Sequence, residues 1–195
     1  TPDIVSQWAS LSFPLKGIFI THAHIGHYSG LLHLGREALG SKDIPVYVMP
    51  KMYSFLENNA PWSQLVNLKN IQLNPLQNNK YVEPLKNLKI TPILVPHRDE
   101  FSETVGYKIK GPNKTILFIP DIDKWTLWEE NLITLLKEVD VAFIDATFFS
   151  QEEVNYRPLS EIPHPLVIET IAYLKNENIS LKNKVYFIHM NHTNP

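Results

Sequence analysis

Residues 21–31 read Thr21-His22-Ala23-His24-Ile25-Gly26-His27-Tyr28-Ser29-Gly30-Leu31, holding three of the chain's eight histidines directly after the apolar run Gly17-Ile18-Phe19-Ile20. That run predicts a short buried strand over 17–20, and the leucine-rich segment beyond it predicts a helix over 28–39. Leu31, Leu32, Leu34 and Ala38 would face inward along the helix, with Gly40 at the place of a terminating glycine. The histidines therefore fall in a strand-to-helix turn. In extended backbone, side chains two residues apart point the same way, so His22 and His24 can converge on one ion. His27 opens the helix, where the positive end of the dipole favours the neutral imidazole that metal binding requires. Gly26 admits a plain backbone reading, because glycine tolerates φ > 0 in a tight turn.

Upstream, Pro2-Asp3 before Ile4, Val5, Trp8 and Leu11 predicts a capped amphipathic helix. Downstream, a strand over 45–49 leads into a helix over 50–58. Strands follow at 71–73, 88–95, 104–109 and 115–119, the last two joined by a turn at Gly111-Pro112-Asn113. A helix over 126–137, a buried strand over 139–144, a loop over 149–163, a helix over 165–176 and a strand over 184–188 complete the chain. There is no internal repeat, low-complexity tract or Gly/Ser linker. One α/β domain over 1–195 is the economical reading, since 195 residues suffice for one sizeable core and are short for two.

Composition narrows the function. With 44% hydrophobic and 19% charged residues the chain is of ordinary globular make-up, and no apolar run approaches the ~20 residues of a membrane span. A net charge of −2 without like-charge blocks offers no basic face for long nucleic acid, although a local phosphate pocket stays compatible with it. With no cysteine, neither a disulfide framework nor a thiolate zinc site is available, so any metal is held by His and carboxylates. A cysteine-free chain suits a cytoplasmic or a periplasmic location equally. The opening Thr1-Pro2-Asp3 carries no initiating Met or signal pattern, as expected for a processed or trimmed piece.

The ionisable residues of interest share one address, the end of a strand. His22 and His24 follow Ile20, His97 follows Val95-Pro96, Asp121 follows Ile119-Pro120, Asp145 ends Ala142-Phe143-Ile144, and His189 follows Phe187-Ile188. Rigid strands fix such residues in place while loops supply access.

This order and spacing resembles the metallo-β-lactamase superfamily: His-x-His-x-x-His after a strand, a lone His before a Gly106-Tyr107 strand, Asp121, and a terminal strand-His. Within it, "FIPDID", "DATFF" and "FIHMNHTNP" are similar to the branch of pyrroloquinoline quinone biosynthesis protein B, the cyclic phosphodiesterases and the tRNA 3′-processing nucleases. The resemblance implies a four-layer αββα sandwich whose first strands precede Thr1. It implies one or two zinc ions, or Mn2+ or Fe2+, at a sheet edge. A first site would fall on His22, His24 and His97, with Asp121 bridging to a second on His27 and His189. Gly26 departs from the pattern, standing where the family usually carries an aspartate that binds the second metal. His27, His189 and Asp121 also have the composition of a 2-His-1-carboxylate triad suited to non-haem Fe(II).

By the same resemblance Asp145 and His164 form a proton-transfer unit beside the metals, with Asp121 orienting the attacking water. His164 before Pro165 also suits a helix N-cap, and Asp123 rivals Asp121. His33 reads as a packing or surface residue, and His192 as a further contact near the site. The implied activity is metal-dependent hydrolysis of a small phosphodiester or related ester. The alternatives are an Fe(II)-dependent oxygenase in quinone cofactor biosynthesis and a non-catalytic metal-binding member. The expected partner is a small-molecule substrate, with no membrane span and a homodimer left open.

Overall fold

The apolar runs of the sequence become two sheets in a computed structural model that describes residues 1–154 and 158–193. Packing divides the chain into two compact units, residues 1–78 with 99–103, and residues 79–98 with 104 onward.

The first unit holds a three-stranded parallel sheet in the order β1 (Ile18–Phe19), β2 (Ile44–Val48), β3 (Ile71–Pro75). Parallel strands need crossovers. The first passes through α2 (Ile25–Tyr28) and a 3-10 stretch Ser29–Leu34, and the second through α3 (Pro50–Asn58) and α4 (Trp62–Asn67). Pro50 opens α3 at a position that needs no backbone donor. Met52 and Leu56, one turn apart, are buried with Leu31, Leu34, Val46 and Val48 in this unit's core. Each such side chain contributes roughly 1.5–3 kcal/mol of burial.

The expected 28–39 helix is instead an early, short one. Helical structure starts at Ile25 and tightens to 3-10 at Ser29, so Leu32 is 41% exposed and Ala38 lies outside the core. Glycines at 26, 30 and 35 lower helix propensity across the segment, and a 3-10 run turns its side chains by a different period. Gly40 does take the left-handed conformation, φ +54°, and closes the following turn onto Gly35. At the start of the chain α1 (Ile4–Ala9) forms as expected, but the Asp3 side chain makes no capping bond.

The second unit holds a six-stranded sheet in the order β4 (Val82–Leu85), β5 (Leu88–Leu94), β6 (Val105–Lys110), β7 (Thr115–Ile119), β8 (Val141–Asp145), β9 (Val185–Ile188). β4 to β7 pair antiparallel, whereas β7, β8 and β9 pair parallel. Two antiparallel steps restore direction, so β5 runs the same way as β7, β8 and β9. The carboxyl ends of these four strands therefore share one edge. Gly106 is required where β6 meets β7, because a Cβ there would stand 2.7 Å from Ile119 Cγ1 and 2.9 Å from the Phe118 carbonyl oxygen.

Leu117 and Ile119 of β7 and Ala142 and Ile144 of β8 pack with Leu132, Leu135 and Leu136 of α5 (Leu132–Glu138). The expected helix over 126–137 is split. Residues 125–127 form a 3-10 turn, and α5 begins only after Asn131, whose side chain accepts from the Thr134 amide. Asn131 is a preferred cap that a continuous apolar pattern conceals. α6 (Val167–Tyr173) starts two residues later than expected, with Leu166 rather than His164 at its N-cap, and α7 (Ile179–Lys182) precedes β9. Within the 149–163 loop, Gln151–Val154 and Leu159–Glu161 are 3-10 turns, while residues 155–157 lie outside the described residues. Among the described residues no helix is long and apolar enough to cross a membrane.

Candidate functional site

In the first unit, three histidines gather in the turn after β1. The chain stays extended through His24 (φ −85°, ψ 138°) and then enters α2, the His27 amide donating to the His24 carbonyl at 2.8 Å. Thr21 and His22 are buried. Thr21 Oγ1 lies 3.1 Å from His22 Nδ1, and His22 Nε2 lies 2.8 Å from His24 Nδ1. The His27 ring centroid is 4.3 Å from that of His22. On its outer side His24 Nε2 meets Glu100 Oε2 at 3.0 Å. Gly26 has an ordinary φ, and a Cβ added there would meet nothing within 4 Å. The backbone reading of Gly26 is thus overturned: neither conformation nor space demands a glycine.

In the second unit, His97, Asp121, Asp145 and His189 follow or end β5, β7, β8 and β9, the four strands with a common direction. The His97 side chain is 1% exposed, with its Nε2 4.0 Å from Asp121 Oδ1. His164 Nδ1 is 3.7 Å and His189 Nδ1 3.5 Å from the same oxygen. Asp121 rather than Asp123 meets the imidazoles. Asp123 is half-buried, and its side chain accepts from the Lys124 amide. Burial first, then the neighbouring Asp145 charge, pushes the Asp121 carboxyl up to about 7 against the opposing pull of His164 and Arg98. A nearby cation would reverse that desolvation cost.

Asp145 organises this cluster. It is fully buried; Oδ1 accepts from the Thr147 amide at 2.8 Å and the Thr147 hydroxyl at 2.7 Å, while Oδ2 accepts from the Ile122 amide at 3.1 Å and His164 Nδ1 at 2.7 Å. His164 therefore carries its hydrogen on Nδ1 and turns Nε2 the other way. Because the Thr147 hydroxyl hydrogen is committed to Asp145, its oxygen accepts from His189 Nδ1 at 3.1 Å. His189 likewise places its lone pair on Nε2. Its backbone sits at φ +64°, a left-handed conformation that costs a non-glycine residue about 1 kcal/mol and persists where the surroundings fix it. Burial lowers the His189 pKa, the more so for His164 nearby and less for Asp145, which favours the neutral ring. Lys124 Nζ donates to the His164 carbonyl and to Glu169, each at 2.8 Å, tying the His164 segment to α6.

The donor set suits a metal ion. Ligand atoms of His97, Asp121 and His164 lie within 4.8 Å of one another, wider than the roughly 3.3–3.6 Å between donors set tetrahedrally at 2.0–2.2 Å, so an ion held by His97 and Asp121 would leave His164 at its side. Reading the sequence alone misses Thr147, Glu100 and Lys124. Thr147 sits in the quoted "DATFF", two residues past a strand-end carboxylate, which is the local signal for a side chain that folds back to it. His33 is exposed in the 3-10 stretch, and His192 is exposed in the turn after β9.

Two sheets and a histidine-carboxylate cluster at strand ends define a protein of the metallo-β-lactamase fold. Residues 2–190 match the model of the beta-lactamase superfamily domain, and the chain belongs to this superfamily. Among curated proteins it is similar to coenzyme PQQ synthesis protein B of Nitrosococcus oceani, 24% identical over 162 residues, covering 72% of this chain and 50% of that protein. The chain thus spans about half the length of that relative. Among solved structures, Zn2+-bound PqqB from Methylobacterium extorquens matches with a TM-score of 0.79 at 19% identity, covering all of this chain and 72% of the other. A diphosphatase of the PhnP family matches with a TM-score of 0.66 at 21% identity, covering all of this chain and 68% of that one. At these identities the likeness is one of fold.

Proposed function

We propose that the chain is a metal-dependent hydrolase of small phosphodiesters or related esters. In this reading His22, His24, His97 and Asp121 serve one zinc-type ion and His27, Asp121 and His189 a second. The observation that carries it is the buried Asp145–His164 pair, 2.7 Å apart beside Asp121. A bound divalent ion supplies Lewis acidity and acidifies water near neutral pH. Asp121 accepts a hydrogen bond from the attacking water. His164, held by Asp145 at Nδ1, takes up a proton from solvent on Nε2 and delivers it to the leaving oxygen, a role worth about 10²–10⁴-fold in rate. The diphosphatase with the same fold supports a phosphoryl substrate.

Hydrolysis of bis(p-nitrophenyl) phosphate by zinc- or manganese-loaded protein tests this reading. His164→Ala lowers kcat about 100-fold with metal content retained, whereas His22→Ala and His189→Ala lose metal and activity together. Undiminished hydrolysis in the latter two overturns it.

A second reading is favoured by the likeness to coenzyme PQQ synthesis protein B and by the loss of a carboxylate at Gly26, which leaves His27, His189 and Asp121 as a 2-His-1-carboxylate set. It is an Fe(II)-dependent oxygenase in quinone cofactor biosynthesis, recognised by oxygen uptake that requires Fe2+ and a precursor.

A further inference from the structure

We propose that Glu100 is a positioning residue of the metal centre: its carboxylate holds the His24 proton on Nε2 and so presents Nδ1 as the donor atom. This rests on the metal reading above and adds to it a residue outside the superfamily pattern.

The argument is one of proton count. Glu100 Oε2 stands 3.0 Å from His24 Nε2, and an ionised carboxylate only accepts. Nε2 therefore carries the hydrogen. A neutral imidazole has one N–H, which leaves the lone pair of His24 on Nδ1. That Nδ1 is the atom 2.8 Å from His22 Nε2. Two imidazole nitrogens brought face to face either share a hydrogen or share a cation, and Glu100 biases the pair toward the second by keeping the His24 hydrogen on the far side. A carboxylate behind a ligating imidazole fixes its tautomer and ring orientation and raises its basicity.

Folding stability does not account for the contact. The side chains of His24 and Glu100 are 21% and 47% exposed, and such pairs contribute little to stability. The loop that carries Glu100 is nonetheless anchored by its next residues. Ser102 Oγ accepts from the Ala23 amide at 2.8 Å, inside the histidine turn itself. The Glu103 carboxylate accepts from the Lys51 amide at 3.0 and 3.2 Å, at the start of α3. Glu100 is therefore presented to His24 from a fixed backbone.

The test compares wild type, Glu100→Ala, Glu100→Gln and Glu103→Ala. His24 tautomers are read by long-range 1H–15N NMR on the metal-free chain, and zinc affinity by competition with a chromophoric chelator. Wild type shows His24 as Nε2–H. Glu100→Ala mixes in Nδ1–H and loses about tenfold or more in zinc affinity. Glu100→Gln, whose amide oxygen still accepts, keeps Nε2–H and loses only about threefold, because a neutral acceptor makes the weaker bond. Glu103→Ala, which removes one of the loop's two anchors but touches no histidine, shifts both readouts in the same direction as Glu100→Ala and by less. A zinc-binding chain whose tautomer and affinity are unchanged in Glu100→Ala overturns this proposal alone. A wild-type chain that takes up no zinc, manganese or iron overturns the metal reading as well.

Discussion

The two histidine clusters are built on opposite plans. Around His22, His24 and His27, one short turn supplies the imidazoles, and their supporting oxygens come from Thr21 and the half-exposed Glu100. Around His97, Asp121, His164 and His189, residues far apart in sequence are drawn together at the ends of co-directional strands and the loop before α6, and a fully buried carboxylate, Asp145, holds His164 directly and His189 through Thr147. The difference teaches that the first cluster is a matter of local spacing, whereas the second is a property of the folded sheet. Damage to the second should therefore reach stability, and damage to the first should stay at the site.

The largest effect separates the two plans directly. Asp145→Ala strands the Ile122 and Thr147 amides and the His164 ring in a buried place, so it destabilises the chain by roughly 3–5 kcal/mol in urea unfolding. His24→Ala in the other cluster costs under about 1 kcal/mol. Equal costs would erase the contrast.

Next comes the sign of a pH effect in metal-free protein. Asp121 has its folded pKa raised to about 7, so between its ordinary value and that point the folded state binds more protons than the unfolded one. Stability then falls as pH climbs through this window and levels off above it. Asp121→Asn removes this contribution, leaves the opposite slope of His189, whose lowered pKa makes stability rise with pH up to its ordinary value, and at pH 8 stabilises the metal-free chain on the order of 3 kcal/mol, while weakening metal uptake. A wild-type pH profile indistinguishable from that of Asp121→Asn, read by thermal melts from pH 4 to 8, would remove burial strain as the mark of the second cluster.

The smallest effect on stability sharpens the first cluster. Gly26→Asp leaves the unfolding midpoint within about 0.5 kcal/mol of wild type, since its Cβ enters open space. It should raise the metal content per chain, measured by elemental analysis, if the missing carboxylate limits the second site.

The legibility of the chain follows the same division. The strand over 115–119 and the helix over 50–58 are observed as read, because each pattern has a clear boundary: Pro50 for the helix, the turn at Gly111-Pro112-Asn113 for the strand. His22, His24 and His27 were legible from spacing, and Asp121, Asp145 and His189 from the apolar strands they end. The helix over 28–39 was misread because leucine spacing speaks for burial but not for the 3-10 period that glycines permit. β4, α4 and α7 are short and polar enough to leave no periodic signal. Thr147 and Glu100 were invisible for another reason: their roles depend on which nitrogen of a distant ring they face, and sequence spacing carries no such information.

The open space around Gly26 also bears on how the chain can change. Two of the four glycine codons become aspartate codons by a single base change, and nothing within 4 Å of the new Cβ opposes the exchange. The carboxylate that relatives are expected to carry would therefore meet no packing barrier to its return. A preference for glycine at this position is therefore set by what the site does and not by how the chain folds.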